Sequence, residues 1–237
     1  MYTQSARFYD ALYHFKDYAA ASTQLLTLLQ QHNPNAETLL DVACGTGKHL
    51  EYLREHYQVE GLDLNPEMLE VARGRCPDVS FHQGNMVTFG LGRRFDVVTC
   101  LFSAIGYVKT VDNLKRTVAN MASHLRPGGI VVIEPWFTPE SYWVDELTAN
   151  FVDEPELKIA WMYISEVEDR TSVLKIHYLV GTSQGIRCFE ERHEMGLFSH
   201  EECLEAFRRA GLEVHYDPEG LFGRGMYLGR NPRSGDE

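Results

Sequence analysis

The sequence is short of positive charge, with 22 Lys and Arg against 34 Asp and Glu and a formal net charge of −12. A nucleic-acid backbone is held by clustered cations that displace its counterions, so this balance speaks against a nucleic-acid partner and favours small molecules. Long apolar runs are missing as well. The opening "MYTQSARFYDALYHFKDY" carries charge throughout, and it reads as neither a secretory leader nor a membrane span. Cysteine is scarce and unpaired in pattern: Cys44, Cys76, Cys100, Cys188 and Cys203 are odd in number and show no C-x-x-C or zinc spacing. Reduced thiols in a soluble cytoplasmic protein are expected. His177, His193 and His200 have no companions at ligand spacing, so no metal is expected. Internal repeats are absent too. The 237 residues, 44% of them hydrophobic, suffice for one large core with a modest insertion rather than two independent domains.

What is present is a rhythm. Tyr18, Ala21, Leu25 and Leu29 lie on one helical stripe. "TLLDVA", "QVEGLDL", "VSFHQGN" and "FDVVTCLF" then read as strands, separated by helices at "GKHLEYLREH" and "PEMLEVARGRC", the second opened by a first-turn proline. Leu114, Val118, Met121 and Leu125 line a further helical face behind Asp112 as candidate N-cap, and "HLRPGGIVVIEPW" supplies a turn and another apolar strand. Such alternation predicts an α/β fold whose parallel sheet carries helices on both faces and binds ligands at the carboxyl ends of its strands. After Pro135 the rhythm breaks. "LKIAWMYISEVE", "TSVLKIHYLV" and "GIRCFEERHEMGLF" follow one another with only short polar turns between them, which reads as an antiparallel meander inserted as a cap. Alternation returns at "SHEECLEAFRRAGL", where Ser199 and Glu202 have capping-box spacing and Gly211 can end the helix. "EVHYD" and "GMYLG" complete the sheet, and the tail "NPRSGDE" is expected to fray. The division predicted is 1–136 for the ligand-binding core with its N-terminal helical segment, 137–198 for the cap, and 199–237 for the elements that finish the sheet.

The stretch "DVACGTGKH" joins the first strand to a helix, so its backbone N–H groups and the positive helix end face a ligand. A phosphate loop needs G-x-x-x-x-G-K-[ST], but Gly45 and Gly47 are two apart and His49 follows Lys48. A dinucleotide site wants a third glycine where Leu50 stands. An adenosine bearing an amino-acid tail needs a strand-end carboxylate and a close backbone approach. Asp41 is placed to face an ammonium, and Asp63, ending the second strand, to accept from both ribose hydroxyls. Spacing alone does not separate that ligand from NAD.

The motifs taken together do. "DVACGTGKH", "GLDLNPEML", "QGNM" and "HLRPGG", in order across residues 41 to 129, resemble those of class I S-adenosylmethionine-dependent methyltransferases, which implies a Rossmann-like sheet with the antiparallel insertion as its cap. The resemblance implies that Tyr18, Asp41, Ala43, Gly45 and Gly47 contact the methionine and adenosine backbone of S-adenosylmethionine, that Asp63 holds the ribose, and that Leu64 and Met68 flank the adenine. It places Asn85, where this family often has an acid, and Met86 beside the adenine amino group, and Leu101 and Phe102 against the sulfonium. No N-P-P-Y-like sequence ends the fourth strand, "LFSAIGYV", which argues against methylation of exocyclic base amines. "FYDALY", "KDYAAA", "SAIGYVKT", "EPWF" and "GRGMYLG" look like the aminosugar N-methyltransferases that act on nucleotide-linked deoxysugars in antibiotic biosynthesis, including desosamine- and mycaminose-type N,N-dimethyltransferases.

That resemblance implies attack of a neutral amine, in line with a departing thioether, with S-adenosylhomocysteine as product. Tyr13, His124 and Glu134 are the candidates to orient or deprotonate the amine. Each has a plainer reading: a helix C-terminal cap for His124, a core aromatic for Tyr13, and a structural acid for Glu134. Trp136 and Phe137 are candidates to cover a base or sugar, or to pack under the cap, and Arg224 to meet a diphosphate or form a loop salt bridge. The rivals are a small-molecule or peptide amine or hydroxyl methyltransferase, a non-catalytic cofactor-binding module and, more distantly, an NAD-linked oxidoreductase. A monomer or homodimer is expected.

Overall fold

A computed structural model describes residues 2–232 of the chain; of the tail, 233–237 lie outside the described residues. A 3₁₀ turn, Ala6–Phe8, leads into α1 (Tyr9–Leu12). The next helix, α2 (Tyr18–His32), starts where the Asp17 carboxylate accepts the Ala20 N–H at 2.9 Å. Its stripe of Tyr18, Ala21, Leu25 and Leu29 is buried as the period requires. There follow β1 (Thr38–Val42), α3 (Lys48–Leu53), β2 (Gln58–Asp63), α4 (Pro66–Arg75), β3 (Ser80–Gln83) and β4 (Phe95–Cys100). A second 3₁₀ turn, Ala104–Val108, precedes α5 (Val111–Ser123) and β5 (Leu125–Ile133). The start of α5 differs from expectation. Thr110 is the cap, its hydroxyl oxygen accepting the Asn113 N–H at 3.2 Å, while Asp112 lies in the first turn, where a negative charge suits the helix dipole. Leu125 belongs to β5 and not to the helix face.

The second sheet comprises β6 (Leu147–Glu154), β7 (Leu157–Glu168), β8 (Thr171–Thr182) and β9 (Gly185–Gly196), each antiparallel to the next. The sequence predicts three of them. β6 is missed because it is an edge strand in which only Val152 is buried while Leu147 and Phe151 are exposed, so its apolar positions do not mark a core-facing side. The chain then returns through α6 (His200–Arg209), which has the full Ser199–Glu202 capping box, and closes with β10 (Glu213–Asp217) and β11 (Met226–Arg230). The core sheet has the order β10-β11-β5-β4-β1-β2-β3. Strands β1 to β5 are parallel, and β11 and β10 are antiparallel additions at one edge. Every residue of β1 is buried, as both-sided coverage by helices demands. Between β1 and β4 the order reverses direction, and there a crevice opens at the carboxyl ends.

The second sheet lies over that crevice. Its inward residues, including Trp161, Ile176, Tyr178 and Met195, share one apolar cluster with Phe8 and Leu12 of the N-terminal segment. The contact with the core is close: a Cβ on Gly106 would stand 3.0 Å from the Met195 Cβ. Trp136 Nε1 donates to the Ser172 hydroxyl at 2.8 Å. Among the described residues no helix is long and apolar enough to cross a membrane.

Gly61, midway along β2, leaves room for β3 and for the glycine turn, since a Cβ there would sit 2.6 Å from the Phe81 ring and 2.8 Å from Cys44 Sγ. Gly61→Ala is expected to lower unfolding free energy by about 1–3 kcal/mol in urea melts, as overpacking of a filled core does.

Candidate active site

Between the carboxyl ends of β1, β2 and β4 and the inner face of the second sheet lies a cavity of about 650 Å³, a volume suited to small molecules. Its floor is the turn after β1. Ala43, Gly45 and Gly47 all have left-handed φ, at 60°, 55° and 74°, so the chain doubles back within five residues. The turn presents the Gly45 N–H to Asp63 Oδ2 at 2.9 Å, and the Asn65 N–H meets Oδ1 at 2.8 Å. Asp63 is thereby fixed in orientation at the end of β2. Burial pushes its carboxyl above the usual range, while those backbone donors pull it back.

Asp41, at the end of β1, is buried and accepts the Thr99 hydroxyl at 2.7 Å. Burial, with Asp63 nearby, pushes its carboxyl up to about 7. Tyr18, Ala43, Leu64, Met68, Asn85, Met86, Leu101 and Phe102 line the same half of the cavity. Asn85 is explained locally: its side-chain oxygen accepts the Val87 N–H at 2.9 Å, and its carbonyl accepts those of Thr88 and Phe89. Either an amide or an acid can close such a turn. Gly47 is not brought to the cavity. It caps α3 in the left-handed region, and a Cβ there would approach the Ala72 Cβ to 3.3 Å, so its smallness serves helix packing.

The other half is aromatic and cationic. Tyr13, Trp136, Phe137 and Arg224 line it together, as do Tyr2, Lys16, Tyr107, Trp161, His193 and Phe222. The Tyr13 hydroxyl is 2.7 Å from that of Tyr2, and burial pushes its phenol up to about 12. It therefore stays protonated near neutral pH, which suits a hydrogen-bonding group and not a base. Two further expectations are corrected. His124 is remote from the cavity: its Nδ1 donates to the Asn120 carbonyl at 2.8 Å, its Nε2 accepts the Leu91 N–H at 3.3 Å, and its ring stacks on Phe89. It closes the end of α5. Glu134 lies behind the cavity wall, wholly buried, accepting the Phe102 N–H at 2.6 Å with one oxygen and facing Arg224 Nη2 at 3.5 Å with the other.

Arg224 in turn lies 5.6 Å from the ring centres of both Trp136 and Phe137. Lys16 Nζ sits between Phe102 and Phe222, 3.6 and 3.7 Å from their centres. Burial and then the Arg224 charge pull its ammonium down to about 7, against the opposing pull of Glu134. Arg224 offsets the buried carboxylate, and Lys16, when protonated, leaves this end with a surplus positive charge. Sequence reasoning missed Lys16 because no spacing ties position 16 to position 224. His193 was visible in principle: Glu191, His193 and Met195 alternate along β9, and all three are buried. Among the described residues no cluster of His, Cys, Asp and Glu is arranged to hold a metal ion.

The raised carboxyl of Asp41 has a consequence for stability. The fold keeps that proton above the ordinary value of 3.8 and up to about 7, so stability falls as pH rises through that window and levels off above it. Asp41→Asn is expected to flatten this fall and to exceed the parent by roughly 2–4 kcal/mol at pH 8, as measured by urea melts at pH 5 and pH 8.

Residues 39–129 match the methyltransferase domain family. Over 94% of its length the chain is 40% identical to a dTDP-3-amino-3,6-dideoxy-alpha-D-glucopyranose N,N-dimethyltransferase of Streptomyces fradiae, of which it covers 89%. Among solved structures it superposes on Streptomyces venezuelae DesVI with a TM-score of 0.91 at 39% identity, covering 97% of this chain and 99% of that one. It superposes on SAM-bound CalS10, an amino pentose methyltransferase from Micromonospora echinaspora involved in calicheamicin biosynthesis, with a TM-score of 0.86 at 36% identity and 98% coverage of both. The likeness spans both the sheet that carries Asp63 and the antiparallel strands above it, and on that ground the chain belongs to the family of aminosugar N-methyltransferases.

Proposed function

We propose that the protein transfers a methyl group from S-adenosylmethionine to the amino group of a nucleoside-diphosphate-linked deoxy aminosugar, leaving S-adenosylhomocysteine. The observation that carries this reading is one cavity with two chemically distinct halves, a carboxylate-headed crevice at the strand ends and an aromatic, cationic vestibule under the second sheet. The donor set fits the cosubstrate. Asp63 offers both carboxylate oxygens where a ribose would stand, Asp41 offers an acceptor oxygen to an ammonium, whose positive charge would favour its ionised form, and Leu64, Met68 and Met86 offer apolar flanks to an adenine. When bound, S-adenosylmethionine supplies an electrophilic methyl group carried on a sulfonium.

The chain's own contribution is alignment and desolvation. Tyr13 and Phe102 lie edge to face, 5.2 Å between centres, at the boundary of the two halves, and their π-faces suit cationic groups. Residues 137–198 act as the cap that keeps water from the reacting atoms. Arg224, its guanidinium backed by Glu134, supports capture of a diphosphate by a planar donor fork. Trp136 and Phe137 beside it offer flat surfaces to the sugar or base. The five free thiols, four of them buried, support a cytoplasmic setting.

Labelled methyl transfer to a thymidine-diphosphate aminosugar, run beside hydroxyl-only analogues, tests the reading; turnover confined to the hydroxyl sugars would overturn it. Asp63→Ala is expected to weaken S-adenosylhomocysteine binding by more than about tenfold in calorimetry, consistent with roughly 1.5–3 kcal/mol for hydrogen bonds to a charged group. Arg224→Ala is expected to raise KM for the nucleotide-linked acceptor by about tenfold or more and to leave cosubstrate affinity unchanged.

A further inference from the structure

An alkylammonium has no lone pair near neutral pH, so the acceptor proposed above must lose a proton before attack. Neither His124 nor Glu134 reaches the cavity, and the Tyr13 hydroxyl is paired with the Tyr2 hydroxyl, a second phenol that cannot take its proton. One unassigned group does face the vestibule as a neutral base. His193 is 1% exposed, and its Nδ1 lies 2.8 Å from the Tyr107 hydroxyl, which lines the cavity beside it. Its Nε2 is 3.7 Å from a Glu191 carboxylate oxygen and has no hydrogen-bond partner.

Glu191 is held as an anion. Although burial works against it, the neighbouring His193, the Ser5 side chain and the Thr3 and Ser5 N–H groups bring its carboxyl down to about 2. A fixed carboxylate nearest Nε2 favours the tautomer with the proton there, which leaves the Nδ1 lone pair to accept from Tyr107. Burial lowers the His193 value, so the ring rests uncharged. The other groups facing the pair are Tyr2, whose ring centre is 4.5 Å from that of His193, together with Tyr13, Tyr178 and Asp63. Of these only Asp63 can carry charge at neutral pH, and its negative charge assists proton uptake, while the positive N-terminal amine works against it.

Resting on the aminosugar reading, we infer that Tyr107 and His193, backed by Glu191, form the proton relay that neutralises the substrate ammonium. The N–H bond of the ammonium breaks as the Tyr107 oxygen takes that proton, the Tyr107 O–H bond breaks as Nδ1–H forms, and the nitrogen lone pair is released for attack. The imidazolium, steadied by Glu191, returns its proton to water by the same route after product leaves.

The test is kcat/KM for a thymidine-diphosphate aminosugar from about pH 7 to about pH 10 in the parent, His193→Gln and Tyr107→Phe, with S-adenosylhomocysteine calorimetry reporting an intact fold. Near pH 7.5 each variant is expected to lose on the order of 10²-fold, with cosubstrate affinity unchanged. Near pH 10, where an alkylamine of ordinary pKa about 10.4 becomes substantially neutral without help, the deficit shrinks to a few-fold. A loss of equal size at every pH marks a structural role and overturns the relay, as does no loss at any pH. If His193→Gln fails to fold, Tyr107→Phe carries the comparison by itself. A parent inactive on every aminosugar offered fails at the first arm, which sinks the substrate reading and takes the relay with it.

Discussion

The wholly buried carboxylate of Glu134 ties the substrate half of the site together. Standing just past the end of β5, it accepts the Phe102 N–H from the loop after β4 and faces Arg224 from the loop before β11. Burial pushes its carboxyl up, while Arg224, the Phe102 N–H and Lys16 pull it back. An ion removed from water is tolerated only when its lone pairs are met, and removing one partner of such a pair costs far more than the pair contributes net. Three loops that share no hydrophobic stripe are in this way held to one another around a single charge.

That arrangement also explains how an acidic protein can offer a welcoming surface to an anion. The net charge of −12 is spread over a surface where charges more than about 8 Å apart are screened at physiological ionic strength. Lys16 and Arg224 sit in the cavity among Phe102, Phe222, Trp136 and Phe137, and in those low-dielectric surroundings the Arg224 charge, with that of Lys16 when protonated, acts at nearer full strength. The cosubstrate half uses the opposite sign. Asp41 and Asp63 line that end with hydrogen-bond acceptors, so the two ends of one cavity differ in polarity.

The cap is tied down through two contacts of β9. Met195 meets the turn after β4 at Gly106, and Glu191 receives the Thr3, Gln4 and Ser5 N–H groups, at 2.8, 2.7 and 3.1 Å. The N-terminal segment is therefore a strap between the sheets, and it carries Tyr2, Tyr9 and Tyr13 to the cavity. Because Glu191, which anchors the strap, lies two and four residues before His193 and Met195 on β9, a single strand register turns all three to the same face.

Local sequence determined the alternation of strands and helices, the turn built on Ala43 and Gly45, the carboxylate at Asp63, the capping box at Ser199 and three of the four cap strands, because periodicity, caps and left-handed turns act over a few residues. It did not determine which candidates meet. His124 and Tyr13 were both candidates to orient or deprotonate the amine, yet one closes a helix end and the other lines the cavity, and Gly47 serves packing where ligand contact was expected. Lys16 beside Arg224, and Tyr107 beside His193, are brought together across 208 and 86 positions by sheet order and by the seating of the cap. Such proximity is set by long-range packing, and nothing in the neighbouring residues of either partner encodes it.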